Sequence, residues 1–169
     1  QRAVDHAGDA VEALLQLLRE APGTRHLWAV VRPADVATIA KFAQLEQLLL
    51  EPKTDAVGGA ADAAWSLQPL LGLQHLTGVT IGYIEKFPAD EIARLAALPK
   101  LSRFGLIGSV HTVDAALGKT MRALRLRQLS LEAVAITPEG LAEVCAMTGL
   151  EQLSLAHCGE LHALRSIRR

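Results

Sequence analysis

Short stretches with leucine at every second or third position recur along the chain. Three of them have the pattern Leu-x-x-Leu-x-Leu and span residues 45–50, 126–131 and 150–155. Two weaker copies lie between them, at 73–76 and 101–106. Alternation of apolar and other residues over such a length is typical of a β-strand with one buried face. The sequence therefore predicts a series of short strands whose leucines face a common core.

The spacing of these stretches is more informative than the leucines themselves. The bare pattern is expected by chance about once in a chain this rich in leucine. The second apolar position of each predicted strand is Leu27, Leu48, Leu76, Phe104, Leu129 and Leu153. The steps between these markers are 21, 28, 28, 25 and 24 residues, all within the roughly 20 to 29 residues of leucine-rich repeats.

Between the strands the apolar period changes from two to about 3.6, which indicates helices. Pro33-Ala34-Asp35, Pro88-Ala89-Asp90 and Thr137-Pro138-Glu139 mark three helix starts. Proline fits the first helical turn, and acidic residues are favourable at the positive end of the helix dipole. An earlier predicted helix, at 9–19, follows no leucine-rich strand. We expect it to cap the N-terminal end, because a stack of such units exposes apolar layers at its ends.

On these features the chain resembles the leucine-rich-repeat superfamily, particularly its ribonuclease-inhibitor-like and cysteine-containing members. The resemblance covers about residues 24–160. It implies an α/β solenoid, or horseshoe, with short parallel strands on the concave side and helices on the convex side. We expect one domain over 1–169, with the cap helix in 1–23, about six repeats in 24–160 and a short C-terminal end in 161–169.

The family pattern places Asn or Cys in the turn after each strand. The chain contains no Asn. The residues predicted at this position are Lys53, Ile81, Ser109, Val134 and Cys158. Only Cys158 fits the pattern, so we expect irregular turns and a buried, unreactive thiol at Cys158.

Strand alternation also predicts which side chains face away from the core. The residues expected to contact a partner on the concave face are Trp28, Gln47, Leu49, Glu51, His75, Thr77, Val79, Arg103, Ile107, Gln128, Glu132 and Gln152. Several of them are apolar where solvent is expected, and an apolar centre with charged neighbours is typical of protein-binding hot spots. The alternatives are a strand shifted by one residue, or a loop or cap helix that covers these side chains.

Composition argues against several other functions. Seventeen basic and eighteen acidic residues give a net charge of −1, so we expect neither nucleic acid nor a membrane surface as partner. No apolar run is long enough to span a membrane, and no export signal is visible. We expect a cytoplasmic location. A secreted effector, or a chain with a cleaved signal peptide, is the alternative, because the chain starts with Gln1.

No constellation of residues predicts catalysis. Cys145 and Cys158 do not form a Cys-x-x-Cys pair. The six histidines show no His-x-x-x-His or His-Glu-x-x-His spacing; they are His6, His26, His75, His111, His157 and His162. The glycines form no phosphate-binding or dinucleotide-binding motif. We therefore expect no metal, no cofactor and no small-molecule substrate.

The function implied by the resemblance is recognition of another protein, without catalysis, through the concave strand face. The alternative is the targeting domain of a larger enzyme, as in bacterial ubiquitin ligases that couple such repeats to a catalytic cysteine domain. Both expectations come from the family and not from a particular set of residues. From the Ala- and Leu-rich composition we expect a bacterial source.

Overall fold

The computed structural model alternates short strands and helices, and it describes residues 3–4, 10–52, 65–83, 88–108 and 112–158. The strands are β1 (Ala3–Val4), β2 (His26–Val31), β3 (Gln47–Pro52), β4 (Gly78–Gly82), β5 (Arg103–Ile107), β6 (Gln128–Glu132) and β7 (Gln152–Ala156). The α-helices are α1 (Ala10–Glu20), α2 (Val36–Ile39), α3 (Ala89–Arg94), α4 (Ala115–Ala123) and α5 (Pro138–Cys145). Turns of 3-10 helix cover Pro33–Asp35, Gln68–Gly72 and Leu95–Ala97.

The described strands form one parallel sheet, and their spatial order follows the sequence. Successive partners in the register are Leu27, Leu48, Val79, Phe104, Leu129 and Leu153. Strands β1 and β7 lie at the two edges, so the sheet is not closed into a barrel. The predicted α/β class with parallel strands is confirmed.

One face of the sheet is buried under the helices. In β2 burial alternates along the strand, with Leu27, Ala29 and Val31 on the buried side. Buried side chains of the strands and of the helices form one apolar cluster. Neighbouring helices contact each other in chain order, α1 with α2, α3 with α4, and α4 with α5. The opposite side of the sheet, which we call the open face, remains accessible.

The same hydrogen-bond geometry recurs where the strands begin. The carbonyl oxygen of Arg25 accepts from the backbone N–H groups of Glu46 and Gln47, at 2.7 and 2.9 Å. Four further carbonyl groups accept a pair of N–H groups in the same way, at the starts of β4 to β7. They belong to Glu46, Thr77, Ser102 and Arg127. Equivalent positions of successive strands therefore form the same local structure, although their side chains differ.

A second recurrence follows the strands. The residue directly after each of the strands β4 to β7 has a positive φ of 51° to 56°; these residues are Tyr83, Gly108, Ala133 and His157. Three of these residues donate their N–H to the neighbouring strand or turn, as Gly108 does to the carbonyl of Glu132 at 2.8 Å. A non-glycine residue with positive φ is uncommon. Its repetition indicates that the hydrogen bonds to the next unit fix the turn.

Strand β4 corrects the predicted register. The sequence placed the third marker at Leu76, whereas the residue in register with Leu48 is Val79. The steps on either side of this strand are therefore 31 and 25 residues, and the predicted steps of 28 are wrong. Leu73 and Leu76 have the spacing of the first two leucines of the pattern, which explains the wrong marker. The side chains of β4 that pack in the core are those of Val79 and Ile81, β-branched residues that suit a strand.

The three helix starts predicted from proline are confirmed. Pro33 begins the 3-10 turn that leads into α2, Pro88 immediately precedes α3, and Pro138 is the first residue of α5. The side chain of Thr137 accepts from the N–H of Gly140 at 3.0 Å. This bond satisfies one of the backbone donors that a helix leaves free at its N-terminus.

Helices α1 and α4 differ from the prediction. Helix α1 lies where a cap helix was expected, but β1 precedes it and pairs with Trp28 and Ala29 of β2. The sequence shows no leucine-rich strand before this helix, and β1, with two residues, contains no leucine. Helix α4 was not predicted. The side chain of Asp114 accepts from the N–H of Leu117 at 2.9 Å, and aspartate at this position is a helix start that needs no proline.

Cys158 has the predicted environment of a turn cysteine. It is buried, and its Sγ donates to the carbonyl oxygen of Leu131 at 3.1 Å. The other thiol, at Cys145, is exposed. Of the predicted turn positions, Lys53 and Ser109 lie outside the described residues, as does the C-terminal end predicted for 161–169.

Candidate binding face

The open face consists of three rows of side chains that run across the strands. The Arg103 row contains His26, Gln47, Gly78, Arg103, Gln128 and Gln152. The Trp28 row contains Trp28, Leu49, Thr80, Gly105, Ser130 and Ser154. The Glu132 row contains Val30, Glu51, Gly82, Ile107, Glu132 and Ala156. Because alternate residues of a strand point to the same side, each strand from β2 to β7 contributes one residue to each row.

Most of the residues predicted to contact a partner lie in these rows. They are Trp28, Gln47, Leu49, Glu51, Arg103, Ile107, Gln128, Glu132 and Gln152. They come from β2, β3, β5, β6 and β7, the strands whose register the leucine pattern predicts correctly. The structure therefore brings these nine side chains to one continuous surface.

The three residues predicted from the third strand do not lie on the open face. Val79 is 1% exposed and belongs to the core, so its assignment to the binding face was wrong. His75 and Thr77 precede β4, and the Thr77 hydroxyl donates to the carbonyl of Glu46 at 3.0 Å. His75 is exposed, with its Nδ1 3.5 Å from Lys100 Nζ. An odd shift of three residues exchanged the two faces of this strand.

Sequence reasoning missed three residues of the open face, Gly78, Thr80 and Gly82. The signal for them is present in the sequence, because Leu76-x-x-Val79-x-Ile81 is the leucine pattern with β-branched residues at its last two apolar positions. This alignment places Leu76 in the same position as Leu101, which starts the following copy.

The open face is apolar at its N-terminal end. Trp28 is 41% exposed and Val30 38%, although both are large apolar side chains. Leu49, the register partner of Trp28 on β3, is half-buried beside it. Exposed apolar residues that form a cluster are a stronger sign of an interaction site than the same residues scattered singly.

The centre of the open face is low, because glycine occupies three of its positions on β4 and β5. Neighbouring side chains lean over these glycines. A Cβ atom at Gly105 would lie 2.9 Å from Thr80 Oγ1, and one at Gly82 would lie 3.2 Å from Glu51 Cγ. Together with Ser130 and Ser154 further along, these small residues form a flat floor.

Charges of opposite sign lie on the two outer rows. Arg103 is exposed in one row, whereas Glu51 and Glu132 lie in the other. None of the three has an ion pair with another side chain in the part of the chain that the structure describes. Unpaired charges at the border of an apolar surface are available to select a partner of complementary charge.

An open depression of about 700 Å³ lies over this face. Its walls and floor come from every strand between β2 and β7, including Trp28, Leu49, Thr80, Arg103 and Gln128. A depression that touches the same side of six neighbouring strands indicates that the sheet curves toward its open face. The arrangement offers a broad surface for contact.

The described residues contain no group of three or more His, Cys, Asp and Glu side chains placed to hold a metal ion. Nor does any described helix have the length and apolarity needed to cross a membrane. Comparison with known proteins adds no assignment, because no family model and no curated protein matches the chain.

Proposed function

We propose that this protein is a leucine-rich-repeat solenoid that binds another protein through its open face, without catalysing a reaction. The observation that carries the proposal is the exposure of Trp28 and Val30 beside Leu49, on a surface whose remaining residues, except Ile107, are small or polar. Tryptophan buries a large area on binding and loses little conformational entropy, which explains why it is frequent among interface hot spots.

Recurring backbone geometry supports the repeat part of the proposal. Paired N–H groups precede each strand from β3 to β7, and a positive φ follows each strand from β4 to β7. Cys158 donates to a carbonyl of the preceding strand, in the turn position where cysteine-containing repeats carry a cysteine. The step of 31 residues between β3 and β4 exceeds the usual range, and we interpret it as an insertion in one repeat.

The shape of the depression favours a macromolecular partner over a small ligand. Sites for small molecules are usually clefts that bury most of the ligand and contain converging polar or titratable groups. Here the depression is open and extends over six strands. The charged side chains of the open face lie in two separate rows, and of Arg103, Glu51 and Glu132 only Arg103 lines the depression. A curved, extended surface of this kind is what repeat proteins use to bind other proteins.

The proposal is tested by placing one bulky side chain in the depression. A Cβ atom at Gly78 would make only ordinary contacts, the nearest being 3.5 Å from Arg103 Cβ, so Gly78→Trp should fold and place an indole in the depression. Gly72→Trp is the matched control, because a Cβ there has no neighbour within 4 Å and Gly72 lies in the 3-10 turn before β4.

The three proteins are compared as baits in quantitative affinity capture from the cells that make the protein. We expect partners that the natural protein and Gly72→Trp capture equally and that Gly78→Trp loses by about tenfold or more. Thermal unfolding must show that both variants are folded. Partners captured equally by all three proteins would contradict binding through the open face.

A further inference from the structure

The dimensions of the open face define what can lie on it. Neighbouring rows are two residues apart along each strand, or about 6.6 Å, so the two outer rows are separated by about 13 Å. Six strands at about 4.8 Å spacing give a length of about 24 Å from β2 to β7. An α-helix with its side chains has a diameter of about 10 to 12 Å, and about 16 residues of helix span 24 Å.

The backbone chemistry of the face also favours a helix over an extended segment. A buried peptide group must find a hydrogen-bond partner. The backbone groups of β2 to β7 are engaged in the sheet, and three of the six residues of the Trp28 row, namely Trp28, Leu49 and Gly105, offer no side-chain partner for a carbonyl oxygen directly above them. A helix satisfies its backbone internally and needs only side-chain contacts. An extended segment would leave unpaired the peptide groups that it buries against Leu49 and the adjacent apolar end of the row.

The charges restrict the helix further. With its apolar stripe on the Trp28 row, a helix has one flank over Arg103 and the other over Glu51 and Glu132. Glu51 lies on β3 and Glu132 on β6, three strand spacings or about 14 Å apart. This distance corresponds to between two and three helical turns. Arg103 lies on β5, between the two glutamates along the sheet.

We propose that the occupant of the open face is an amphipathic α-helix of a partner protein that lies across the strands. Resting on the proposed function, this inference specifies the partner's chemistry. The helix has apolar residues at intervals of three and four, two basic residues seven to eleven positions apart on one flank, and an acidic residue between them on the other. Its apolar stripe packs against Trp28 and Leu49 at one end and on the small residues Gly105, Ser130 and Ser154 towards the other, in the manner of helix-in-groove recognition.

The test uses fluorescently labelled peptides of about 18 residues, locked as helices by a side-chain staple, and the full chain. The matched peptide has a leucine stripe, glutamates on one flank and lysines on the other. A second peptide, the alternating peptide, has the same composition, but both flanks carry lysine in its first half and both carry glutamate in its second half. A third has lysines on both flanks, and a fourth is the matched sequence without the staple and with two central prolines. A peptide that binds in the reverse direction places each flank over the opposite outer row. The matched peptide can therefore pair its charges in one of the two directions, whereas the alternating peptide cannot pair all of them in either.

Binding is measured by fluorescence anisotropy for the natural protein, Arg103→Glu and the control Lys119→Glu, which reverses an exposed charge on α4. We expect the matched peptide to bind at least about tenfold more tightly than the alternating and proline peptides. Arg103→Glu should abolish this preference and make the peptide with two lysine flanks the best ligand. Lys119→Glu should change nothing.

Three results would overturn the helix proposal: no saturable binding of any peptide below about 1 mM, equal binding of the matched and proline peptides, or a preference unaffected by Arg103→Glu. Failure here is distinguishable from failure of the proposed function. If Gly78→Trp loses captured partners while the peptides fail, the open face binds a different kind of segment. If Gly78→Trp loses no partners, the proposed function itself is wrong.

Discussion

Replacing Gly140 by alanine should destabilise the protein, although Gly to Ala inside a helix usually stabilises. Gly140 lies in the first turn of α5, where its backbone packs closely against the segment that leads into α4. A Cβ atom at this position would lie 1.9 Å from the carbonyl oxygen of Val113 and 2.7 Å from its carbonyl carbon. Because both are backbone atoms of a fully buried residue, no side-chain rotation relieves the overlap.

The size of the effect follows from three contributions. Overpacking a close contact costs about 1 to 3 kcal/mol, and the overlap with backbone favours the upper end. The Val113 carbonyl also accepts from the N–H of Thr137 at 3.0 Å, and moving it away would cost about 1 kcal/mol more. The higher helix propensity of alanine returns about 1 kcal/mol. The free energy of unfolding should therefore fall by about 3 kcal/mol, which lowers the Tm by about 6 to 12 °C in a chain of this size.

Urea and thermal unfolding followed by circular dichroism at 222 nm measure both quantities. Gly72→Ala is the control, because a Cβ there meets nothing within 4 Å; it should leave stability unchanged or raise it by up to about 1 kcal/mol. If Gly140→Ala were as stable as the natural protein, α5 would not pack against Val113 as described, and the close contact between neighbouring units would be refuted.

Three further predictions concern the core and the thiols. With a thiol reagent, one of the two thiols should react rapidly in the folded protein and both after unfolding, because Cys145 is exposed and Cys158 is buried; rapid reaction of both would contradict the turn structure. Glu91→Ala should lower the free energy of unfolding by about 1 to 3 kcal/mol, because the carboxylate accepts from a buried backbone N–H at 2.7 Å, whereas Glu91→Gln keeps an acceptor oxygen and should lose less. Leu129→Ala should cost about 2 to 5 kcal/mol and Leu153→Ala clearly less, because these register partners are 1% and 38% exposed; equal losses in denaturant titrations would mean that β7 is covered as fully as β6.

The sequence predicted most strands correctly because leucine marks the buried side of each. Every second side chain faces the core in β2, β3, β5, β6 and β7. The side chains between them could therefore be assigned to the open face from the sequence. The same logic failed at β4, because the leucine pattern was aligned on Leu73 and Leu76 instead of on Val79 and Ile81. Since a strand has a period of two, the shift of three residues exchanged its two faces.

Other features depended on contacts that a pattern cannot show. Strand β1 has two residues, too few for any periodicity, and only its pairing with β2 defines it. Helix α4 lacked a proline start, although Asp114 at its N-cap was a usable signal. The low floor of the candidate site depends on Gly78 and Gly105, which look like ordinary turn or bulge glycines until the register brings them to one face.

The most direct test of a binding function for the open face is the affinity of a purified captured partner, measured by titration calorimetry. The natural protein and Gly72→Trp should have the same Kd, and Gly78→Trp, which obstructs the depression, should raise it by about tenfold or more, equivalent to about 1.4 kcal/mol or more. An unchanged Kd for folded Gly78→Trp would show that the partner binds elsewhere on the protein.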